Sequence, residues 1–229
     1  MRLNLDACYR NRYEDPLEEI VPVFYIAVFL NVTYSLFLFL KTKRSVNKAM
    51  EILHVWGFYI SGAMIVFALK TLLKDKTCSL KPNSVSGHTY YNIYFIIASW
   101  VLFKSDKVRR EFSLFILLLA LNFCLCANIC VTYFGGYHTI RQMTYGAVCA
   151  IIAYSFYHLV SKLRQNWNLL TILGVGILIT TFFGLFIGGN ISFMGYSPVI
   201  IWYICYLLVL RKVKSTPVKT VKVKEYKKI

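Results

Sequence analysis

Acidic residues are scarce in this chain, which has 10 Asp and Glu against 26 Lys and Arg among its 229 residues. None of these acids falls inside a long apolar run. Carriers coupled to protons or sodium ions usually keep ionisable side chains within their membrane spans, so this absence argues against such a carrier. The chain also has no GxxxxGK[ST] motif, no heptad pattern and no clear internal repeat. Phosphate-loop nucleotide binding and coiled-coil assembly are therefore not expected.

No cleavable signal sequence is expected at the start of this sequence. Residues 1–19 are polar and of mixed charge, without the basic and then apolar segments of a signal peptide. The first apolar run is therefore expected to target and anchor the protein itself. A net charge of +16 could indicate nucleic acid as a partner. The basic residues, however, lie in short loops and a tail between apolar runs, which fits a membrane and no nucleic-acid partner.

The chain is rich in apolar residues: 58% are hydrophobic and 17% aromatic. This composition predicts an all-α, polytopic membrane helix bundle with about seven transmembrane helices. The predicted spans are residues 20–40, 52–69, 88–103, 112–134, 139–160, 169–188 and 198–210. We therefore expect a polar lumenal N-terminus over 1–19, a transmembrane domain over 20–210 and a basic cytosolic tail over 211–229. Oligomeric state cannot be read from these patterns.

The distribution of Lys and Arg predicts the orientation. With a lumenal N-terminus, the cytosolic segments carry 18 basic residues and the opposite side carries 8. The loops at 70–87 and 135–138 then share the non-cytosolic side. The ending Lys224-Glu-Tyr-Lys-Lys-Ile229 resembles a di-lysine retrieval signal, which favours the endoplasmic reticulum membrane. Asn190 begins a glycosylation sequon, but we expect it to be unused so close to the membrane.

Seven cysteines are present, and Cys8 and Cys78 are the two that lie outside apolar runs. A disulfide between them is possible. Cys124, Cys126 and Cys130 resemble a metal cluster at first sight, but residues two apart on a helix point in different directions. We interpret them as small packing residues and expect no metal and no cofactor.

Residues 74–88, Lys-Asp-Lys-Thr-Cys-Ser-Leu-Lys-Pro-Asn-Ser-Val-Ser-Gly-His, concentrate polar chemistry between two apolar runs. The three lysines precede Ser86-Gly87-His88, a small-residue turn whose backbone N–H groups could begin the next helix. A helix N-terminus with cations nearby is an anion site, and phosphate suits it best. The alternative is an ordinary basic loop that ends in a serine cap.

His138, Arg141 and Gln142 begin the fifth span. Spacings of three and four residues place all three side chains on one helical face. An amide four residues after a histidine can fix its ring orientation and tautomer, as a nucleophilic imidazole requires. The alternative is a hydrogen-bonded pair at the start of a helix. A second histidine and an anion site on the same side favour the catalytic interpretation.

These segments resemble the type-2 phosphatidic acid phosphatase superfamily, whose motifs are K-x6-RP, PSGH and SR-x5-H-x3-D. Lys74 and Lys81-Pro82 match the first motif with Lys for Arg, and residues 85–88 match the second with Val for Pro. His138 and Gln142 match the end of the third. The Tyr-His-Thr-x-x-Gln-x-x-x-Gly run at 137–146 is similar to dolichyl diphosphate phosphatases, which also have Gln where other members have Asp. The similarity covers about a third of the chain.

The resemblance implies a six-helix catalytic core and a lipid phosphate or diphosphate as substrate. His138 would attack phosphorus to form a phosphohistidine, Gln142 would orient it, and His88 would protonate the leaving oxygen. Lys74, Lys81, Ser86 and the Gly87 N–H would hold the phosphoryl oxygens. No metal would be required, because fixed cations and N–H groups can stabilise the charge of the transition state.

Two departures from the superfamily pattern bear on activity. The SR dipeptide of the third motif would fall at Val131-Thr132 and is absent, and Lys81 replaces a bidentate arginine. Arg141 could supply the missing charge from within the fifth helix. The fat-storage-inducing membrane proteins, a diverged branch that keeps SGH and a later His, are a second candidate relative.

The sequence thus favours a lumen-facing lipid phosphatase or diphosphatase. The main alternative is a non-catalytic lipid-binding or lipid-organising membrane protein with a decayed site. A transporter is a third possibility, because glycines could break the sixth span. Close helix packing explains those glycines more simply.

Overall fold

The computed structural model describes residues 8, 17–41, 46–78, 83–104, 112–161, 179, 200, 202–209 and 211. Five helices are complete within these ranges: α1 (Leu17–Lys41), α2 (Val46–Leu73), α3 (Gly87–Lys104), α4 (Phe112–Phe134) and α5 (Ile140–Ser161). Residues 202–209 are helical as well, and no strand occurs among the described residues. The all-α prediction is confirmed over this part of the chain.

The predicted spans agree closely with four of the five helices, and α4 has the predicted limits. The predicted 169–188 span lies outside the described residues except for Ile179, so a bundle of seven spans stays a prediction. Helix α2 differs, because it begins six residues before the predicted span and includes Glu51. Buried Glu51 pairs there with Lys48, 3.1 Å between Oε2 and Nζ. The predicted span excludes Glu51, whereas the helical segment long and apolar enough to cross a membrane, Lys48–Leu73, includes it.

Helix α3 lies at the centre of the bundle, where it contacts α2, α4 and α5, while α1 packs on α4. Its buried face is aromatic, and Tyr90, Tyr91, Tyr94 and Phe95 are at most 2% exposed. The hydroxyl of Tyr94 donates to the backbone carbonyl of Val55 at 2.8 Å. Buried phenols of this kind stay stable because their polar end has a partner inside the protein.

The outer surface of the bundle is apolar. Phe29, Phe112 and Phe123 are 69%, 75% and 76% exposed. Two of the described helices, α2 from Lys48 and α4, are long and apolar enough to cross a membrane. Exposed Cys126 and Cys130 lie on the same kind of surface, so their interpretation as packing residues is wrong. Large exposed apolar patches suit contact with lipid or another apolar partner.

Three chain segments meet at one end of the bundle: the residues after α2, the start of α3 and the start of α5. The backbone N–H of Ser86 donates to the carbonyl of Gln142 at 3.0 Å. A β-carbon at Gly146 would collide with the backbone carbonyl of Ser86. Glycine at 146 therefore allows α5 to approach the start of α3, and this approach positions the site.

Candidate functional site

The loop after α2 is tied to the turn before α5 through Asn83. Its backbone N–H donates to the carbonyl of Asp75, and its side-chain amide donates to the carbonyl of Tyr137, both at 2.6 Å. Asn83 is 8% exposed, so water competes little for these bonds. The two loops predicted to share one side of the membrane are therefore in direct contact.

Ser86 is the N-cap of α3. Its Oγ accepts the backbone N–H of Thr89 at 3.1 Å, three residues into the helix, and also the hydroxyl of Thr89 at 2.9 Å. This bond satisfies one of the N–H groups that a helix start leaves without a partner. Gly87 and His88 form the first turn, so the predicted helix start is confirmed. Fully buried Ser86 serves as a cap here, and its contact with phosphate stays a prediction.

The start of α5 is a capping box formed by Thr139 and Gln142. The hydroxyl of Thr139 accepts the Gln142 backbone N–H at 3.2 Å, and Gln142 Oε1 accepts the Thr139 backbone N–H at 3.1 Å. The S/T-x-x-E/Q pattern for this reciprocal pair is present in the sequence. It places His138 and Thr139 before the helix.

The side-chain amide of Gln142 uses all four of its hydrogen-bonding positions. Besides Thr139, its Oε1 contacts His138 Nδ1 at 3.2 Å. Its Nε2 donates to Asp75 Oδ2 at 2.9 Å and to the carbonyl of Thr77 at 3.2 Å. Nε2 faces two acceptors, the Asp75 carboxylate and the Thr77 carbonyl, and Oε1 faces the backbone N–H of Thr139. These partners determine that Oε1 is the end of the amide that faces His138. We infer that neutral His138 carries its proton on Nδ1, which leaves the lone pair on Nε2.

His138 is 2% exposed, and its ring centroid lies 6.2 Å from that of His88. Burial, together with the charges of Lys70 and His88, lowers the pKa of His138 from 6.5 to about 3, although hydrogen bonds with Gln142 and the Asn83 backbone oppose this change. The ring is therefore neutral at physiological pH. A neutral imidazole with a lone pair on Nε2 can act as a nucleophile.

Lys70 in the last turn of α2 is the cation that the fold brings to both histidines. It lines a cavity of about 220 Å³ together with Gly87 and His88, and the deeper wall is formed by Ala63, Val66 and Tyr59. Its Nζ lies 3.8 Å from the position that a β-carbon on Gly87 would occupy. The cavity thus combines a cation, a helix N-terminus and an imidazole with aromatic and aliphatic walls. That combination suits an anionic head group with an apolar tail.

Arg141 belongs to a different cavity. It lines a space of about 570 Å³ with Asp75, Gln142 and apolar residues of α2 and α5. Its Nε donates to the hydroxyl of Tyr145 at 2.8 Å, and Arg141 is exposed. The prediction that it shares a face with His138 and Gln142 is wrong, because adjacent Arg141 and Gln142 are turned about 100° from each other on a helix and His138 lies before α5 begins at Ile140. Its role as a phosphate ligand stays a prediction.

The first motif contains two lysines, Lys74 and Lys81. Lys74 is exposed and has a positive φ of 51° just beyond α2. Lys81 lies outside the described residues. The structure thus brings together His88, Gly87, His138 and Gln142 from the predicted set, with Ser86 as the cap. Arg141 and Lys74 lie at the periphery of this group.

Sequence reasoning missed Lys70, Asp75 and Asn83. Lys70 stands four residues before Lys74, one helical turn earlier, and the extension of α2 past the apolar run carries it into the site. Asp75 is visible as an acid between two lysines in an otherwise basic loop. Its contact with Gln142 spans 67 residues, so no local pattern indicates it.

Comparison of this chain with protein-family models, with curated proteins and with solved structures gives no match.

Proposed function

We propose that this protein is a membrane lipid phosphatase or diphosphatase that works through a phosphohistidine on His138. One observation carries the proposal: His138, held by Gln142, lies 6.2 Å from His88 between ring centroids, and Lys70 lies beside His88 in the same cavity. A nucleophile, a proton donor and a fixed cation are the groups that phosphoryl transfer requires.

The proposed reaction has two steps. In the first, His138 Nε2 bonds to phosphorus, the bond from phosphorus to the lipid oxygen breaks, and His88 gives that oxygen a proton. In the second, water attacks phosphorus, His88 takes the water proton, and the bond from nitrogen to phosphorus breaks to release phosphate. Lys70 and the N–H groups at the start of α3 stabilise the phosphoryl oxygens in both steps. His138 is almost fully buried and does not itself line this cavity, so the proposed reaction requires a path from the cavity past His88 to His138.

The surroundings of the site support action at a membrane. Exposed phenylalanines on α1 and α4 and two helices of spanning length suit a bilayer. Cys8 forms a disulfide with Cys78, which lies in the loop that carries the site. Disulfides persist in oxidising compartments, so this one supports a lumenal or external position for the site. The basic-residue bias favours the same orientation. The endoplasmic reticulum is the compartment that the C-terminal lysine signal favours.

The test is phosphate release by the purified full-length protein from lipid monophosphates, polyprenyl diphosphates and acyl-CoA, with and without magnesium. Lys76→Ala serves as control, because Lys76 is an exposed cation of the same loop. We expect release by the wild type and by the control, and none by His138→Ala. Equal release by His138→Ala would refute the proposed mechanism.

A non-catalytic lipid-binding protein is the second candidate, and Thr132 is the observation that favours it. Thr132 is fully buried where the superfamily motif has a phosphate-binding arginine, and its hydroxyl donates to the Asn128 carbonyl at 2.7 Å. A site without that arginine could bind a lipid phosphate and fail to cleave it. Saturable binding of phosphatidic acid vesicles without phosphate release from any substrate would establish this alternative.

A further inference from the structure

A hydrogen-bonded chain runs from Asp75 through Gln142 to His138. Asp75 Oδ2 accepts from Gln142 Nε2 at 2.9 Å, and Gln142 Oε1 contacts His138 Nδ1 at 3.2 Å. Asp75 does not line the cavity that Lys70 and His88 share. We propose that Asp75 is a positioning residue that fixes the reactive tautomer of His138 through Gln142. Its catalytic consequence rests on the function proposed above.

The loop geometry holds the Asp75 carboxylate in place. Its Oδ1 accepts the backbone N–H of Thr77 at 2.8 Å and the Thr77 hydroxyl at 2.6 Å, which leaves Oδ2 directed at Gln142. Burial alone would raise the pKa of Asp75, but the bonds from Thr77 and Gln142 and the charge of Arg141 outweigh it and lower that pKa. Asp75 is therefore an anion that can only accept hydrogen bonds.

The direction of the Gln142 amide decides the state of His138. With Nε2 held by an anion, Oε1 must face His138, and the histidine proton must sit on Nδ1. If the amide turned over, its NH₂ group would face Nδ1 and would place the proton on Nε2. The lone pair that attacks phosphorus would then be lost. Thr139 also favours the observed direction, so removal of Asp75 should weaken this control without abolishing it.

The charge of Asp75 has a second effect. His138 becomes cationic when it bonds to phosphorus, and a buried cation needs a nearby anion. The superfamily that this chain resembles has Asp at the position that corresponds to Gln142. In this chain the Gln142 amide contacts His138, and the Asp75 carboxylate contacts the far end of that amide. Asp75 thus acts on His138 through Gln142 and not by direct contact.

The experiment compares Asp75→Asn with the double variant Asp75→Asn/Gln142→Glu in the full-length protein. The single variant removes the charge and gives Gln142 a neighbour that can donate as well as accept. We expect kcat to fall roughly 10- to 100-fold, as for other partners that orient a reacting ligand. KM should change little, because Asp75 does not touch the substrate. Lys76→Ala in the same loop is the control and should behave as the wild type.

The double variant exchanges the amide and the carboxylate at nearly constant shape. The amide introduced at position 75 would donate to the carboxylate introduced at position 142, which in turn accepts from His138 and Thr139. Only the carbonyl of Thr77 would lose its partner. We expect the double variant to recover at least about tenfold in kcat over the single variant, because an anion again stands behind His138. Unchanged kcat in Asp75→Asn, or no recovery in the double variant, would overturn the proposal.

Nitrogen-15 NMR of histidine-labelled protein separates this proposal from the proposed function. The His138 signal, assigned by its loss in His138→Ala, should show a proton on Nδ1 in the wild type and a mixture of tautomers in Asp75→Asn. A proton on Nε2 in the wild type, or identical spectra for both proteins, would refute the role of Asp75. The tautomer measurement tests the role of Asp75 even if the wild type hydrolyses no lipid phosphate. In that case the proposed function would be refuted, and the positioning role of Asp75 would still stand or fall with the NMR result.

Discussion

Asp75 and Gln142 are 67 residues apart in the chain and are joined by a 2.9 Å hydrogen bond from the Gln142 amide to the Asp75 carboxylate. This bond links the end of α2 to the start of α5 across the site. Because His138 contacts the other end of the same amide, the loop after α2 controls the orientation of the candidate nucleophile. Changes in that loop should therefore alter reactivity as well as binding.

Lys70 should contribute more to activity than Arg141. Lys70→Met keeps the aliphatic stem and removes the charge beside His88, so we expect a loss of about 10²–10³ in rate. Arg141→Ala should cost less than about tenfold, because Arg141 lies in the other cavity beside Asp75. Steady-state phosphate release by the two variants measures the difference. A larger loss in Arg141→Ala than in Lys70→Met would mean that Arg141 supplies the positive charge that the third motif lacks.

The acid limb of the pH–rate profile should lie well below pH 6.5. His138 reacts as the neutral ring, and its pKa is lowered to about 3, so activity survives as the pH falls through 6.5 and is lost only near the lowered pKa. The measurement is kcat/KM against pH for the wild type and for Lys70→Met. Loss of the Lys70 charge should move the limb to higher pH. An acid limb centred near pH 6.5 in the wild type would contradict the claim that burial lowers the pKa of His138.

Gly146→Ala should destabilise the protein and reduce activity together. The added β-carbon would meet the carbonyl of Ser86, a backbone atom that cannot turn away. Overpacking of this kind costs about 1–3 kcal/mol. Thermal unfolding of the purified protein measures the change, with exposed Thr144→Ala as control. A melting temperature equal to that of the wild type would mean that α5 does not approach the start of α3 so closely.

Cys8 and Cys78 should resist maleimide labelling until the protein is reduced. Their disulfide joins the N-terminal segment to the loop that carries Asp75 and Thr77. Mass spectrometry after labelling under denaturing conditions, with and without reduction, detects the two extra modified thiols. In Cys78→Ser, reduction should add no further modified thiol, because Cys8 is already free. In Cys205→Ser, reduction should still add two. Labelling of both cysteines in unreduced wild-type protein would place the loop in a reducing compartment.

The limits of most helices could be predicted, because the length of each apolar run determines them. Helix α4 has the predicted limits, and the start of α3 follows from the small-residue turn at Ser86 and Gly87. The contact between His138 and Gln142 follows from their spacing. The predicted face of Arg141 is wrong because His138 lies before the start of α5, and neighbouring Arg141 and Gln142 are about 100° apart on any helix. The Thr139 capping box determines that start, and apolar periodicity does not reveal it.

The remaining parts of the site depend on tertiary contacts. Lys70 resembles any cation in the last turn of a helix, and only the approach of α3 to α2 brings it beside Gly87 and His88. Asn83 and Asp75 lie in a loop whose polar residues could all have faced solvent. Their partners come from the turn before α5 and from its first turn, more than 50 residues away. No spacing rule covers such separations.

The most direct test of the account is a search for phosphohistidine on His138. The purified protein is mixed with a ³²P-labelled lipid phosphate and quenched in alkali, in which phosphohistidine survives. We expect acid-labile label on His138 in the wild type and none in His138→Ala. Phosphate release without any labelled intermediate, or label that persists in His138→Ala, would contradict the account.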